Sequence, residues 1–303
     1  MIDAELLTVL DAITRHGSLA QAARSLDRVP SALSYTVRQY EERLDLLLID
    51  RRGHRAKLTP AAQTILENAA PVLAQLGEIA QRAQTLASGW EPELRIAVDE
   101  ALCFERVLTL IDRFYALAMP TRITLQPEVL SGTWDALLEG RATLALGAVD
   151  GLEDANLLGN TLKWQPLGDM QFVFCVAPHH PLASETAPIP DTLLAQHRSV
   201  AVADTARRLN RASFGIQPRQ DVLTVASMQH KIAAQVRGSG VGWLPLNHVR
   251  DLLASGQLLR KAVQSERPPA RFSTAWRRGA EGNAVRWFRR LLADPAEAAA
   301  LLG

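Results

Sequence analysis

Apolar residues recur at helical spacing through the first ninety positions. Leu6, Leu10 and Ile13 fall on one face and stop at Gly17, a good C-terminal breaker. Ser18 opens a second helix with Gln21 at the capping-box position, and Leu19, Ala22, Ala23 and Leu26 form its inward stripe. Pro30 suits a first helical turn, so a third helix is expected from there to about Leu44. Its Leu33, Val37, Tyr40 and Leu44 share one side, while Ser31, Ser34, Tyr35 and Arg38 share an arc of about 100° on the other. Two short helices joined by a tight turn, the second with a small polar outer face, form a helix-turn-helix pattern. Taken alone, that outer face could as well be solvated surface.

Residues 48–58 place short apolar-edged segments on either side of Gly53, which predicts a hairpin with a basic tip of Arg51, Arg52, His54 and Arg55. Thr59 and Pro60 then start another helix. Ile65, Ala69, Val72, Leu76, Ile79, Ala83 and Leu86 follow at alternating spacings of four and three, a coiled-coil seam. Pro71 is expected to kink this helix and Gly77 to weaken it. A long helix with a single apolar stripe argues for pairing with a second copy; a core helix is the alternative.

From Glu93 the pattern becomes α/β. Strands are expected at 94–98, 122–126 and 144–148, with helices at 100–117 and 132–139. A second set follows: strands at 171–177, 199–203 and 241–244 and a helix near 228–236, with a final helix at about 281–292. This alternation implies parallel sheets covered on both faces.

At 303 residues the chain suggests about two domains. Its 33 basic and 32 acidic residues nearly cancel, which excludes a polycationic coat, so any nucleic-acid contact must be local. Between Arg28 and Lys57, seven basic residues face four acids, which supplies such a patch. Two cysteines, Cys103 and Cys175, make neither a disulfide scaffold nor a four-Cys zinc site, and buried packing is the better account of them than a redox switch. His179-His180 precedes Pro181 without a metal-ligand pattern, so no metal and no cofactor are expected. No G-x-S-x-G, H-E-x-x-H or C-x-x-C occurs, so nothing supports an enzyme. The acidic Met1–Glu5 start and the lack of a long apolar run argue for a cytoplasmic chain without a membrane partner.

The stretch His16-Gly17-Ser18-Leu19-Ala20-Gln21-Ala22-Ala23-Arg24-Ser25-Leu26 resembles the H-G-S-[FL]-x-x-A-A-x-x-L core of the LysR-type transcriptional regulators. Residues 32–37 look like the start of that family's recognition helix, and Glu41, Leu44, Leu48 and Arg51 fit the segment after it. Leu58-Thr59-Pro60 matches the turn after the wing, and 94–96, 138–141, 180–182 and 240–245 look like effector-domain landmarks. Tyr40, Asp45, Ile49 and Ala62 depart from the usual packing and turn residues. Val29, Pro30 and Tyr35 alter the reading face, so base preference does not carry over.

The resemblance implies an α/β fold class with an N-terminal all-α winged helix-turn-helix, a long linker helix and a periplasmic-binding-protein-like effector domain of two α/β subdomains. The expected boundaries are 1–60, 61–90 and 91–303, with subdomain I at about 93–165 plus 269–303 and subdomain II at about 166–268. Ser18, Pro30, Ser31, Ser34, Tyr35, Arg38, Arg51, Arg52, His54 and Arg55 are the expected DNA contacts, and Ile65 to Leu86 the dimer seam. An effector is expected against Asp99, Glu100, Ala101 and Leu130, Ser131, Gly132, Thr133 on one wall, and Ala201, Ala203 and Ser227 on the other. With Asp99 and Glu100 at the mouth, a neutral, phenolic or cationic effector is expected over a carboxylate. The implied partners are double-stranded promoter DNA, a small-molecule effector, RNA polymerase and further copies of the chain as a dimer or tetramer. The alternative is a small-molecule binding protein without a DNA-regulatory role.

Overall fold

The computed structural model describes residues 2–50, 57–152 and 161–303, with the side chains of twelve positions between 70 and 88 excepted. The basic tip Arg51, Arg52, His54 and Arg55 and the side chain of Leu86 lie outside the described residues. Two compact units divide the chain, residues 1–80 and 81–303.

The first unit is built from α1 (Ala4–His16), α2 (Leu19–Ser25), α3 (Pro30–Leu44), a hairpin of β1 (Ile49–Asp50) and β2 (Lys57–Leu58), and the first part of α4 (Pro60–Ser88). Asp3 caps α1 by accepting from Leu6 N at 3.1 Å, and Gly17 ends it in the left-handed conformation, φ 66°, with its N–H on Ile13 O. Ser18 caps α2 through Gln21 N. Pro30 stands in the first turn of α3, and Asp45 closes it at φ 52°. Asp45 thus occupies a left-handed cap that glycine would fill without strain.

Leu6, Leu10, Ile13, Leu33, Val37 and Leu48 are fully buried together, and each contributes about 1.5–3 kcal/mol of burial. The Glu41 carboxylate reaches forward from α3 to accept Leu48 N (2.9 Å) and Ile49 N (3.2 Å), which sets where the hairpin begins. Thr59 donates its hydroxyl to Leu47 O and accepts from Ala62 N, fixing the hairpin's exit into α4. The α4 helix runs unbroken past Pro71.

The second unit holds a five-stranded sheet in the order β4-β3-β5-β12-β6. Its strands are β3 (Glu93–Asp99), β4 (Arg122–Glu128), β5 (Leu144–Val149), β6 (Leu162–Met170) and β12 (Ala270–Arg277). β3 pairs parallel with β4 and β5, but β12 runs antiparallel to both β5 and β6. This corrects the expected all-parallel sheet, and β6 and β12 carried no expectation at all. The reason is the route of the chain: β6 leaves the sheet at Met170 and β12 re-enters it opposite that residue, at Ala270, so the two run in opposite directions. Pro166 and Gly168 also interrupt β6, and the β6–β12 register shifts near Phe272/Ser273, which hides the alternation of a strand.

One face of this sheet packs on α5 (Phe104–Tyr115), α10 (Asn283–Leu292) and α11 (Pro295–Leu302); the other takes α6 (Gly132–Leu138). Ala97, Ala145 and Ala275 leave room there for the fully buried Trp134, whose Nε1 donates to Val149 O at 2.9 Å. Buried Glu91 caps α10 from outside, accepting Ala284 N and Val285 N. The helix expected at 100–117 is shorter at both ends, and α11 was not expected.

The second sheet centres on β7 (Phe172–Val176), flanked antiparallel by β10 (Gly242–Pro245) and β11 (Leu259–Arg260). A bridge from Ser199 to Val241 attaches the parallel pair β8 (Ser199–Val202) and β9 (Val222–Val225). Around it lie α7 (Asp191–Leu194), α8 (Met228–Val236) and α9 (Leu246–Ala254). No helix among the described residues is long and apolar enough to cross a membrane.

Candidate functional site

Two surfaces concentrate chemistry, one in each unit. In the first, α3 turns Leu33, Val37 and Tyr40 inward and leaves Pro30, Ser31, Tyr35 and Arg38 exposed. Tyr35 is 64% accessible, and its hydroxyl accepts from Gln39 Nε2 one turn on. Ser34 and Ser18 are half-buried at the edges of this face. An exposed phenol beside a guanidinium, on a helix held from behind by a packed core, can enter a groove and hydrogen-bond its floor or rim.

On α4, Ile65 is half-buried against the helical core and Ala69 is buried, whereas Val72, Leu76 and Ile79 are 49%, 48% and 62% accessible. Ala83 is exposed as well. The seam therefore splits: its start belongs to the core of the first unit, and the rest is an apolar stripe.

In the second unit, the end of β3 and the loop before α6 face α8, β8 and β10 across a cavity of about 70 Å³. Asp99, Glu100, Ala101, Leu130 and Ala201 line it. Ser227 lies in a neighbouring groove and caps α8 through His230 N. Ser131, Gly132 and Thr133 are buried behind the cavity wall. Ser131 N donates to Asp204 Oδ2, a Cβ on Gly132 would strike Thr205, and Thr133 bonds Leu130 O. Ala203 is used by its N–H on Val225 O.

The acids at the mouth are not free. Asp99 accepts Ala101 N (2.9 Å) and Leu130 N (3.0 Å), one with each oxygen, and burial drives its carboxyl up to about 7 against those two bonds. Glu100 accepts Met228 N with Oε2 at the start of α8. Both acids therefore organise backbone.

Sequence reasoning missed the groups that give the cavity its character. Phe172, Phe214, Trp243 and Phe272 line it, along with two cations, Lys231 and Arg267. Lys231 is buried, and burial, then the neighbouring Arg267, pulls its ammonium down to about 8. Burial lowers Arg267 as well, and its guanidinium carbon lies 4.9 Å from the centre of the Phe172 ring and 4.8 Å from that of Phe214. Lys231 is one of only four lysines and sits between apolar positions of a helix, the one signal that could have found it. Arg267 stands in Glu-Arg-Pro-Pro, which reads as a plain connector.

A strap closes one side of the cleft. Fully buried Asp135 accepts the N–H groups of Arg207, Arg208 and Leu209 at 3.0–3.2 Å, and Asp204 accepts those of Ala206 and Ala212. Thr205 donates to Glu128, and Arg141 bridges Glu128, Glu139 and Asp135. The strap ends at Ser213 and Phe214, on the cavity wall.

Comparison with known proteins matches residues 4–63 to a family described as bacterial regulatory helix-turn-helix protein, lysR family, and residues 87–296 to the LysR substrate binding domain. The chain is 37% identical to the HTH-type transcriptional regulator YeeY of Escherichia coli strain K12 over 96% of this chain and 94% of that one. It is 35% identical to the probable HTH-type transcriptional regulator YhaJ of the same strain, with 94% of each covered. Among solved structures, CbnR, a LysR family transcriptional regulator, aligns with a TM-score of 0.60 at 16% identity over 97% of this chain and 99% of that one, a likeness of fold.

Proposed function

The chain belongs to the LysR family of transcriptional regulators, and from that premise we propose how its residues divide the work. The outer face of α3, with Pro30, Ser31, Ser34, Tyr35 and Arg38, reads base edges in the major groove, and Ser18 contacts the backbone beside it. Arg51, Arg52, His54 and Arg55 supply phosphate or minor-groove contacts in this reading. Val72, Leu76, Ile79, Ala83 and Leu86 pair two copies so that two α3 helices reach two half-sites, and tetramers follow from two such dimers. The cleft at Asp99, Glu100, Ala101, Leu130 and Ala201 takes the effector, which leaves chemically unchanged. RNA polymerase is the downstream partner.

The observation that carries this reading is the division of α3: three residues fully or nearly buried on one side, and a polar, accessible face with Tyr35 and Arg38 on the other. Regulation needs an effector that binds two assembly states with different affinity, and a cavity bounded by two subdomains provides such a difference when they shift. The test is retardation of genomic DNA fragments by the purified chain. Specific fragments should be retained over random DNA, with affinity falling as salt rises. Equal affinity for every duplex, with and without metabolites, would end the proposal.

A further inference from the structure

Among the described residues, the cleft is lined by a buried lysine, Lys231, and a half-buried arginine, Arg267, and no acid pairs with either. Neither Lys231 nor Arg267 has an ion-pair partner among the described residues. The acids on the same wall are engaged elsewhere, Asp99 with two backbone N–H groups and Glu100 with the first N–H of α8. Lys231 is only 9% accessible, and the Arg267 charge disfavours its ammonium further. Two unpaired positive charges facing one apolar cavity are costly to bury, and an anion between them would relieve both. The setting of Arg267 points the same way. Phe172 and Phe214 contact its guanidinium through their rings, and its N–H donors, all in the guanidinium plane, have the geometry that grips a carboxylate with two bonds.

We propose that this cavity takes a small organic carboxylate, held by its charged end between Lys231 and Arg267, with its apolar body against Leu130, Val149 and Phe272. The proposal rests on the reading of the cleft as the effector site and supplies its chemical class. It reverses the expectation drawn from Asp99 and Glu100, because those acids already have backbone N–H partners, whereas the two cations have no ion-pair partner among the described residues. The cavity volume of about 70 Å³ compares with about 150 Å³ for an apolar cavity that holds benzene. An acid with a body of a few carbons therefore fits as the walls stand, and an aromatic acid requires the Phe214 wall to give way.

The experiment uses the full chain at constant ionic strength, with thermal unfolding and calorimetric titration of matched probes. Acetate, propionate and benzoate are set against propionamide, benzamide, propylamine and benzylamine, with chloride as the ionic control. At least one carboxylate should raise the unfolding temperature and bind, while its amide and amine counterparts do not. Lys231→Met and Arg267→Met should each weaken that binding at least tenfold, and Arg267→Lys should restore part of it. Should either Met variant fail to fold, Lys231→Gln and Arg267→Lys carry the same comparison. Amides or amines binding as well as the acids, carboxylates doing no more than chloride, or a Lys231→Met protein with parental affinity would each overturn the assignment. If carboxylates bind but no DNA is recognised, the regulator reading fails and this one stands. If DNA is recognised and only neutral or cationic probes act, the reverse holds.

Discussion

The phenol of Tyr40 donates a 2.6 Å hydrogen bond to Oδ1 of Asp3, the same oxygen that accepts Leu6 N at the start of α1. One carboxylate thereby caps the first helix and anchors the back of the third. Burial, and then this bond, push the Tyr40 hydroxyl up to about 12, while the bond holds Asp3 below the usual range. Tyr40→Phe keeps the ring and deletes the donor, so it should cost about 1 kcal/mol. Urea unfolding followed by a probe in the first unit measures it, and DNA affinity at low denaturant should stay near the parental value.

Arg38→Ala together with Tyr35→Ala should lower affinity for a specific site by about 10- to 100-fold for each base edge no longer read, with the fold intact. The salt dependence separates the roles. If Arg38 binds a phosphate, the slope of log affinity against log salt falls by about one. If it reads a base, the slope holds and sequence preference relaxes.

Leu76 and Ile79 are accessible apolar residues one turn apart on α4. Leu76→Glu with Ile79→Lys should shift sedimentation toward the monomer at micromolar concentration and weaken binding to paired half-sites. Ala69→Ser, closer to the buried start of the seam, should affect assembly far less.

Asp135 is fully buried and receives three backbone N–H groups besides the Arg141 guanidinium. Asp135→Ala leaves those three N–H donors without their acceptor and removes one of the three carboxylates around Arg141, which should cost about 3–5 kcal/mol. Amide exchange at 207–209 should accelerate before global unfolding begins.

Lys231 titrates near 8 in the folded chain, against 10.5 ordinarily, because burial and then Arg267 disfavour its charge. Below pH 8 the folded state carries the whole penalty. Between pH 8 and 10.5 the unfolded chain holds the proton and the folded chain does not, so the penalty is released as pH rises. Lys231→Met should therefore be more stable than the parent by about 1–3 kcal/mol near pH 7, with the gap closing by pH 10.5. Denaturant midpoints across that range measure it. Carboxylate affinity of the parent should fall over the same interval as the ammonium is lost.

Local chemistry explains which parts of this molecule were legible beforehand. The cap at Ser18, the first-turn Pro30 and the breaker at Gly17 act within three or four residues, so they mark α1, α2 and α3 directly. The inward stripe of α3 obeys helical spacing and was readable for the same reason. In contrast, β6 and β12 exist because the chain leaves one sheet and returns to it, and Pro166 and Gly168 mask the strand pattern.

Residue order alone settled the helical reading head and the alternation of strands and helices, because periodicity and capping depend on near neighbours. The character of the cleft was settled by folding. Asp99 and Lys231 are 132 positions apart, and whether each charge is partnered or left facing a cavity depends on backbone N–H groups and rings that the fold brings to them. Charge in a sequence is a count; in a fold it is a balance between what is buried and what is paired.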